Sequence, residues 1–313
     1  MLTQRFTLMS GVALALAFWS ASVSAQGPGF QVDFDKVEIR TTHVAGQVHM
    51  LAGAGGNIGV FSGSDGVFLV DDQFAPLTDR IRSAIRKISD QPIRFLINTH
   101  FHEDHTGGNE NLGEAGTLII AHDNVRKTLS GPHFIEMLHT HFPAFEPSAL
   151  PVITFSETIT FYLNGEEVYV FHAPPSHTNG DAIVYFRGSD VIHMGDVFRS
   201  RGYPIFDRRN GGSYEGLIEA SDLVLGIAGE NTKIIPGHGV VSSRADLQNV
   251  RDILATVRDR IATAIAAGKS LEQTTAEKPT ADFDENWSRK RLSPDEVVEW
   301  IYAELSGQVN SNE

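Results

Sequence analysis

The strongest chemical signal in the sequence is the run HFHEDH, from His100 to His105, which contains four candidate metal ligands within six residues. Zinc binds neutral imidazole nitrogens and carboxylate oxygens readily, and catalytic zinc sites keep one position for water. The run follows the apolar segment 93–97, which is typical of a buried strand. A loop at a strand end can direct His100 and His102 toward one point and Asp104 and His105 toward a neighbouring one. A solvated surface loop is the alternative, but the density of ligands favours a metal site.

Three further polar residues have the same setting, next to a glycine or in a glycine-containing loop beside a predicted strand: His177, Asp196 and His238. Each of them alone is equally typical of an ordinary loop residue. Together with the first cluster they complete two metal sites. The sequence has no cysteine, so any metal must be bound by histidines and carboxylates, and disulfides and thiolate ligands are excluded.

This set of residues resembles the metallo-β-lactamase superfamily, and the resemblance extends over nearly all of the mature sequence. The pattern H-x-H-x-D-H, a later His in an S-H-T segment, an Asp in a G-D segment and a final G-H are all present. The resemblance implies an α+β fold, a four-layer αββα sandwich with the metals at one edge between the two sheets. It implies a first metal bound by His100, His102 and His177, a second bound by Asp104, His105 and His238, and Asp196 as a bridge between them.

The resemblance also implies a reaction. Two zinc ions about 3.5 to 4 Å apart lower the pKa of a shared water toward ~7, which gives a metal-bridging hydroxide as nucleophile. The predicted enzyme is therefore a dinuclear zinc hydrolase that opens a cyclic amide or ester, a β-lactam or a lactone. Asp104 is the predicted catalytic residue, because as a ligand it lies where it can orient the water or pass a proton. The same ligands also accept manganese or iron.

Two residues bear on the substrate. Asp196 stands where the largest subclass of authentic β-lactamases carries Cys, so β-lactam turnover is expected to be weak. Arg199 lies three residues later, where those enzymes place a Lys that binds the substrate carboxylate, and a guanidinium can do so bidentately. A surface arginine is the other interpretation.

Three alternatives to a lactam or lactone hydrolase stay open at this point. A thioesterase of the glyoxalase II type carries the same ligand set. An iron-dependent persulfide dioxygenase shares the fold with a mononuclear site. A non-catalytic binding protein is disfavoured, because such proteins usually lose ligands and none is missing here.

Other polar residues near the motifs have competing interpretations. Asp71 matches a family aspartate near the metals, but it fits a hairpin cap almost equally well. Ser176 is rejected as a nucleophile, because a metal-bound His177 cannot serve as a free general base. The remaining histidines are predicted to be surface or core residues: His43, His49, His122, His133, His139, His141, His172 and His193.

Composition limits the class of protein and its partners. The chain has 313 residues, of which 41% are hydrophobic and 20% charged, as in ordinary globular proteins. The formal net charge of −14 argues against a nucleic-acid partner, which requires a basic surface, and favours a small-molecule substrate. The sequence does not predict an oligomeric state.

The N-terminus predicts export. Residues 1–25 combine a basic start, a short apolar core and the small residues Val23, Ser24 and Ala25, which together are typical of a cleaved signal peptide. An anchoring helix is the alternative, but the apolar stretch is short for a membrane span of about 20 residues. We therefore predict a periplasmic or secreted protein without stable membrane anchoring, with a single domain over residues 26–313.

The elements that must position these ligands are strands in two groups with helices outside them. Short strands are predicted at 48–51, 58–61, 66–70 and 93–97, and again at 159–162, 167–171, 182–186, 191–193 and 233–235. Helices are predicted at 78–89, 214–225, 244–267 and from Ser293 to Gly307. The glycines at 53–56 resemble a dinucleotide fingerprint only superficially, because no long helix follows them.

Three loops are expected near the metal edge, at 53–59, 131–151 and 201–213. The second of these is either an active-site lid or a packed surface segment. Four aromatic residues in these loops either line a pocket or pack inward: Phe134, Phe142, Tyr203 and Phe206.

Overall fold

The structure is a computed structural model that describes residues 32–287 and 292–307. The predicted signal peptide, residues 1–25, lies outside the described residues. Within the described ranges, no helix is long and apolar enough to cross a membrane.

Fifteen strands are present in the described residues. In chain order they are β1 Arg40–Ala45, β2 Val48–Ala52, β3 Ile58–Gly63, β4 Gly66–Val70, β5 Ile93–Ile97, β6 Leu118–His122, β7 His133–Ile135, β8 Thr140–Phe142, β9 Ile153–Phe155, β10 Thr158–Leu163, β11 Glu166–His172, β12 Ala182–Phe186, β13 Val191–His193, β14 Lys233–Ile235 and β15 Ser242–Ser243.

The strands form two large sheets. The first has the order β1-β2-β3-β4-β5-β6-β9, and the second β10-β11-β12-β13-β14-β15. The first four strands pair antiparallel, whereas β4, β5, β6 and β9 pair parallel. In the second sheet only β13 and β14 are parallel. Parallel pairing brings the carboxyl ends of neighbouring strands to the same edge of each sheet.

Nine α-helices lie in the described residues. They are α1 Thr78–Ile85, α2 Glu103–Thr106, α3 Asn109–Glu114, α4 Asp123–Leu129, α5 Tyr214–Ile227, α6 Arg244–Ala266, α7 Leu271–Ala276, α8 Asp284–Trp287 and α9 Pro294–Leu305. Capping boxes begin α6 at Ser243 and α9 at Ser293, as the sequence predicts. The helix predicted over 78–89 is shorter than expected and ends at Ile85.

Side chains point alternately to the two faces of each strand, so the buried residues form three hydrophobic layers, one between the sheets and one on the outer face of each sheet. In β4, Phe68 and Val70 pack between the two sheets, while Val67 and Leu69 pack against α1. Because successive side chains of a strand point to opposite faces, a fully apolar strand is covered on both sides.

The second sheet is covered on both faces in the same way. In β11, Val168 and Val170 pack between the sheets, whereas Phe171 packs against the layer that includes α5, α6 and α9. The architecture is therefore the expected αββα sandwich.

The segment 131–151 is a packed surface element. It contains the hairpin β7–β8, and Leu138, Phe142 and Phe145 pack on the buried cluster that includes Phe101 and Leu129. The lid interpretation therefore loses support. Tyr203 and Phe206 also pack inward, and each is only 3% exposed. Of the four loop aromatics, only Phe134 lies outside the packed hydrophobic clusters. Its ring packs against the Arg209 guanidinium.

Candidate metal centre

Every sequence-predicted ligand lies just beyond a strand or before one, at the same edge of the sandwich. His100 to His105 follow β5, Asp196 follows β13 and His238 follows β14, while His177 lies in the loop between β11 and β12. The structure brings all seven predicted ligands together. Their ligand atoms form three overlapping groups, each with its atoms within 4.8 Å of one another: His100, His102 and His177; His100, His105 and Asp196; Asp104, His105 and His238.

The first group consists of three imidazoles, and each ring is oriented by a hydrogen bond at the nitrogen that faces away from the group. His100 Nδ1 lies 3.0 Å from Thr99 Oγ1, and that hydroxyl donates its own proton to Asp71, so the His100 nitrogen is the donor. His177 Nδ1 donates to the carbonyl of Ile205 at 2.6 Å. His102 Nε2 donates to Asp207 Oδ2 at 3.1 Å. Each ring therefore presents its other, unprotonated nitrogen to the centre of the group, as a metal ligand must.

The group formed by Asp104, His105 and His238, called the second group, combines a carboxylate with two imidazoles. His105 Nδ1 donates to Asp71 Oδ2 at 2.7 Å, which leaves Nε2 directed at the site. His238 Nε2 lies 3.2 Å from Asp104 Oδ2. Asp196 lies between the groups, with Oδ1 3.2 Å from His105 Nε2 and 3.3 Å from His238 Nε2, and Oδ2 3.9 Å from His177 Nε2. This is the position that a bridging ligand requires.

The residues fit a pair of divalent cations, and three observations support this. His177 Nε2 and His102 Nδ1 lie 2.9 Å apart although the proton of each ring is donated elsewhere. His100 Nε2 is buried and forms no hydrogen bond. Buried polar atoms are normally satisfied, and a cation shared by these nitrogens satisfies them. The donor set, nitrogen and carboxylate oxygen only, matches zinc.

The electrostatics of the two groups differ. Burial, followed by the neighbouring His105 and His177, lowers the pKa of His100 well below its usual value, so this imidazole is neutral at pH 7. Burial alone would lower the pKa of His105, but the carboxylates of Asp104, Asp71 and Asp196 raise it well above its usual value. The negative field that holds a proton on His105 also attracts a divalent cation.

Asp71 is a positioning residue of this centre and does not cap a hairpin. It follows β4, is fully buried and has a positive φ of 63°. Oδ1 accepts from the backbone of Thr99 at 2.7 Å, and Oδ2 accepts from Thr99 Oγ1 and His105 Nδ1. One carboxylate thus fixes the orientation of His105 directly and that of His100 through Thr99.

Sequence reasoning missed two carboxylates that orient the first group. Asp207 accepts from His102, and its backbone N–H donates to the carbonyl of His177 at 2.7 Å. Asp181 accepts from the backbone N–H groups of His177 and Thr178 at 2.7 and 2.8 Å. The spacing of Asp181 in SHTNGD could have indicated a loop of this kind. Asp207 has no such signal, because its contacts are formed only in the folded chain.

Arg199 lies at the centre and not on the open surface. Its side chain is 11% exposed, and Nη1 is 3.6 Å from Asp196 Oδ2.

Ser176 donates its hydroxyl to Asp181 at 2.8 Å, so it supports the His177 loop, as expected for a residue that is not a nucleophile.

The other histidines lie outside the ligand groups, as predicted. His43 and His49 are cross-strand neighbours in β1 and β2, and His122 stacks on His172 with ring centroids 3.8 Å apart. His193 is fully buried beside the centre, and burial lowers its pKa to about 4, so it is neutral.

Comparison with known proteins agrees with this geometry. Residues 52–240 match the family described as the metallo-beta-lactamase superfamily. The chain belongs to the metallo-beta-lactamase superfamily. The family and the fold predicted from the sequence are confirmed. The predicted metallo-hydrolase is also confirmed, by the family match and by the groups of metal-binding side chains. The identity of the metal and the substrate stay predictions.

Curated proteins similar to this chain have names that indicate different substrates. A linear primary-alkylsulfatase of Pseudomonas sp. is 24% identical over 273 residues, which are 76% of this chain and 48% of the relative. A hydroxyacylglutathione hydrolase of Pelagibacter ubique is 26% identical over 161 residues, which are 50% of this chain and 57% of the relative. The chain spans about half the length of the curated relatives it matches.

Solved structures of other proteins show the same fold. The DIM-1 metallo-beta-lactamase has a TM-score of 0.56 at 21% identity, covering 71% of this chain and 99% of that one. The sec-alkylsulfatase Pisa1 from Pseudomonas sp. has a TM-score of 0.66 at 16% identity, covering 88% of this chain and 52% of that one.

Proposed function

We propose that this chain is an exported dinuclear zinc hydrolase that opens a cyclic amide or ester, a β-lactam or a lactone. The observation that carries the proposal is the arrangement of Asp196 between His177 on one side and His105 and His238 on the other. A carboxylate in that position can bind two cations at once. The proposal includes export with cleavage after Ala25, so Gln26 is the expected first residue of the mature protein.

When bound, a pair of cations at these ligands would supply an activated water and Lewis-acid polarisation of the scissile carbonyl. The residues of the chain supply the geometry. Asp104 holds a carboxylate oxygen 3.2 Å from His238 Nε2, and its side chain is 17% exposed, so it can accept a proton from a water at the mouth of the site. Burial of His100, His105 and His177 excludes bulk water from the back of the centre.

Arg199 supports a substrate that carries a negative charge. Its guanidinium lies next to Asp196, so an anionic group of a bound substrate would pair with it at the point where the scissile bond meets the centre. A β-lactam has such a carboxylate beside the ring nitrogen.

The relatives favour a second candidate, hydrolysis of a sulfate ester. The alkylsulfatase relative aligns with 76% of the chain, and an alkylsulfatase structure covers 88% of it. A sulfate ester is also anionic, so Arg199 fits both candidates. Thioester hydrolysis is a third class, favoured by the hydroxyacylglutathione hydrolase relative.

A hydrolysis panel tests the proposal. Zinc-loaded protein would be given a chromogenic cephalosporin, an acyl-homoserine lactone, a primary alkyl sulfate and an acyl-glutathione thioester. The expected result is turnover of the cephalosporin or the lactone that stops when a chelator is added and returns with zinc. Turnover of the sulfate or the thioester alone would replace the proposed substrate class, and no turnover of any of them would refute the hydrolase.

Substitution of Arg199 tests its role in substrate binding. We expect Arg199→Gln to raise KM for the anionic substrate by about tenfold or more, because one hydrogen bond between charged groups contributes about 1.5 to 3 kcal/mol. A neutral ester of the same substrate should be cleaved by both proteins at nearly the same rate. Equal losses on the charged and the neutral substrate would show that Arg199 instead supports Asp196.

A further inference from the structure

We infer that Asn57 is a positioning residue for the second group of ligands, and that it sets the affinity of that group for its ion by holding the turn that carries His238. The inference rests on the proposed metal centre and goes beyond it, since Asn57 lies in a loop between two strands of the first sheet and His238 in a loop of the second sheet.

The glycine segment 53–57 connects β2 to β3 and lies directly on the metal loops. The backbone N–H of Gly56 donates to the carbonyl of Asp104 at 2.9 Å. A Cβ atom on Gly55 would lie 2.6 Å from that same carbonyl oxygen, and a Cβ on Gly56 would collide with the His105 ring. Only glycine permits so close an approach. A hydrogen bond from Gln73 also holds the segment in place, because Gln73 Nε2 donates to the carbonyl of Gly56 at 2.6 Å.

Asn57 joins this segment to the turn at His238 with three hydrogen bonds. Its backbone N–H donates to the carbonyl of Gly237 at 2.7 Å. Its side-chain Nδ2 donates to the carbonyl of Pro236 at 2.8 Å and to that of Gly239 at 3.2 Å. The accepting carbonyls therefore lie on both sides of His238 in the chain.

The chemistry of the amide explains why asparagine stands here. Its Nδ2 carries two hydrogens, and both are donated to backbone carbonyls. The residue is 3% exposed, so water cannot easily replace either bond. The other side of the His238 turn is fixed by the backbone N–H of Ser200, which donates to the carbonyl of His238 at 3.2 Å. The backbone N–H of Gly237 adds contacts on that side, to the carbonyls of Gly195 at 2.7 Å and Phe198 at 3.0 Å. Asn57 is thus one of several supports of this ligand, and the one that joins its turn to the glycine segment.

His193 extends the same connection to Asp196. Its Nε2 donates to the carbonyl of Asn57 at 3.1 Å, and its Nδ1 accepts from the backbone of Gly195 at 3.2 Å. The neutral ring has one donor and one acceptor, and both are used. Asn57 is therefore coupled to the turn that carries the bridging carboxylate as well as to the one that carries His238.

Metal titration of Asn57→Ala tests the inference. Supporting groups behind metal ligands typically contribute about 10- to 100-fold to metal affinity. We expect the dissociation constant of one zinc ion, measured against a chromophoric chelator, to rise by about that factor. The dissociation constant of the other ion should rise by less, because Asn57 reaches the Asp196 turn only through His193. The same titration of His238→Ala identifies the ion that belongs to the second group, and Asn57→Ala must weaken that ion.

Asn164→Ala is the matched control, because it is the same substitution at a second buried asparagine. Asn164 is also buried, and its Nδ2 donates to the carbonyl of Gly66 at 3.0 Å, in turns that lie at the opposite ends of the strands from the metal loops. We expect this variant to lower the melting temperature and to bind both ions as the wild type does. Asn57→Ser, which keeps a polar side chain, serves as the second variant if Asn57→Ala does not fold.

The outcomes separate this inference from the proposed function. Wild-type protein that binds two ions, with Asn57 variants that bind both equally well, would overturn the inference and leave the proposed function intact. Equal weakening of both ions in the Asn57 variants would also overturn it, since that indicates general destabilisation. Wild-type protein that binds fewer than two ions would refute the metal centre and the inference together.

Discussion

Asp196→Ala should abolish hydrolysis and remove one of the two metal ions. The carboxylate lies between ligands of both groups, 3.2 Å from His105 Nε2 and 3.9 Å from His177 Nε2, so no other described side chain can replace it. We expect kcat/KM to fall by at least about a thousandfold, or about 4 kcal/mol in the barrier. The measurement is steady-state kinetics on the substrate found in the panel, together with zinc content.

A control variant distinguishes loss of the bridge from loss of fold. Asp190 is a carboxylate of the second sheet that accepts from Thr232 Oγ1 at 2.7 Å and from Tyr185 Oη at 3.2 Å, and it is not among the ligand groups. Asp190→Asn should keep both ions and most of the activity although its melting temperature falls. Full activity and two ions in Asp196→Ala would contradict the bridging role.

Removal of the metals should destabilise the fold. Without cations, the centre leaves the His177 and His102 nitrogens 2.9 Å apart and carboxylates of Asp71, Asp104 and Asp196 in one buried region. A ligand at 1,000 times its dissociation constant stabilises the folded state by about 4 kcal/mol per site. Since 1 kcal/mol shifts the melting temperature of a chain of this size by about 2 °C, we expect a chelator to lower it by about 15 °C.

Zinc should restore the melting temperature, and the chelator preloaded with zinc should have no effect. The chelator should also shift Asp196→Ala less than the wild type, because that variant starts with one ion fewer. A shift below about 3 °C in the wild type would mean that metal binding contributes less than about 2 kcal/mol to stability. Such a result would contradict tight binding by a buried centre.

The ligands were predictable from the sequence because they are local. His100, His102, Asp104 and His105 lie in one short run after a strand, and the other three ligands lie in loops that contain glycine. Apolar runs with sharp ends also predicted most strands of both sheets. Long amphipathic helices such as α6 carry their own signals, a capping box and a regular apolar face.

The parts that were missed depend on tertiary contacts. Strand β9, only Ile153–Phe155, is too short to show a period, and it is a strand because it pairs with β6. Asp207 and Asn57 look like ordinary loop residues in the sequence. Their roles come from His102 and from the Pro236–Gly239 turn, which lie 105 and 179 or more residues away along the chain.

Arg199 illustrates how far local information extends. The resemblance to the cysteine-bearing β-lactamases implied a substrate-binding residue three positions after Asp196, and the structure places Arg199 next to that carboxylate, with little exposure. Substrate identity depends on how the loops around the centre receive a ligand, and neither a motif nor the fold determines that.

The metal content of the purified mature protein tests the central claim most directly. The protein would be equilibrated with zinc, manganese and iron in separate samples, passed through a desalting column and analysed by elemental mass spectrometry. We predict two zinc ions per chain, and one in Asp196→Ala. One iron per chain and no retained zinc would contradict the dinuclear zinc hydrolase and would favour the iron-dependent dioxygenase.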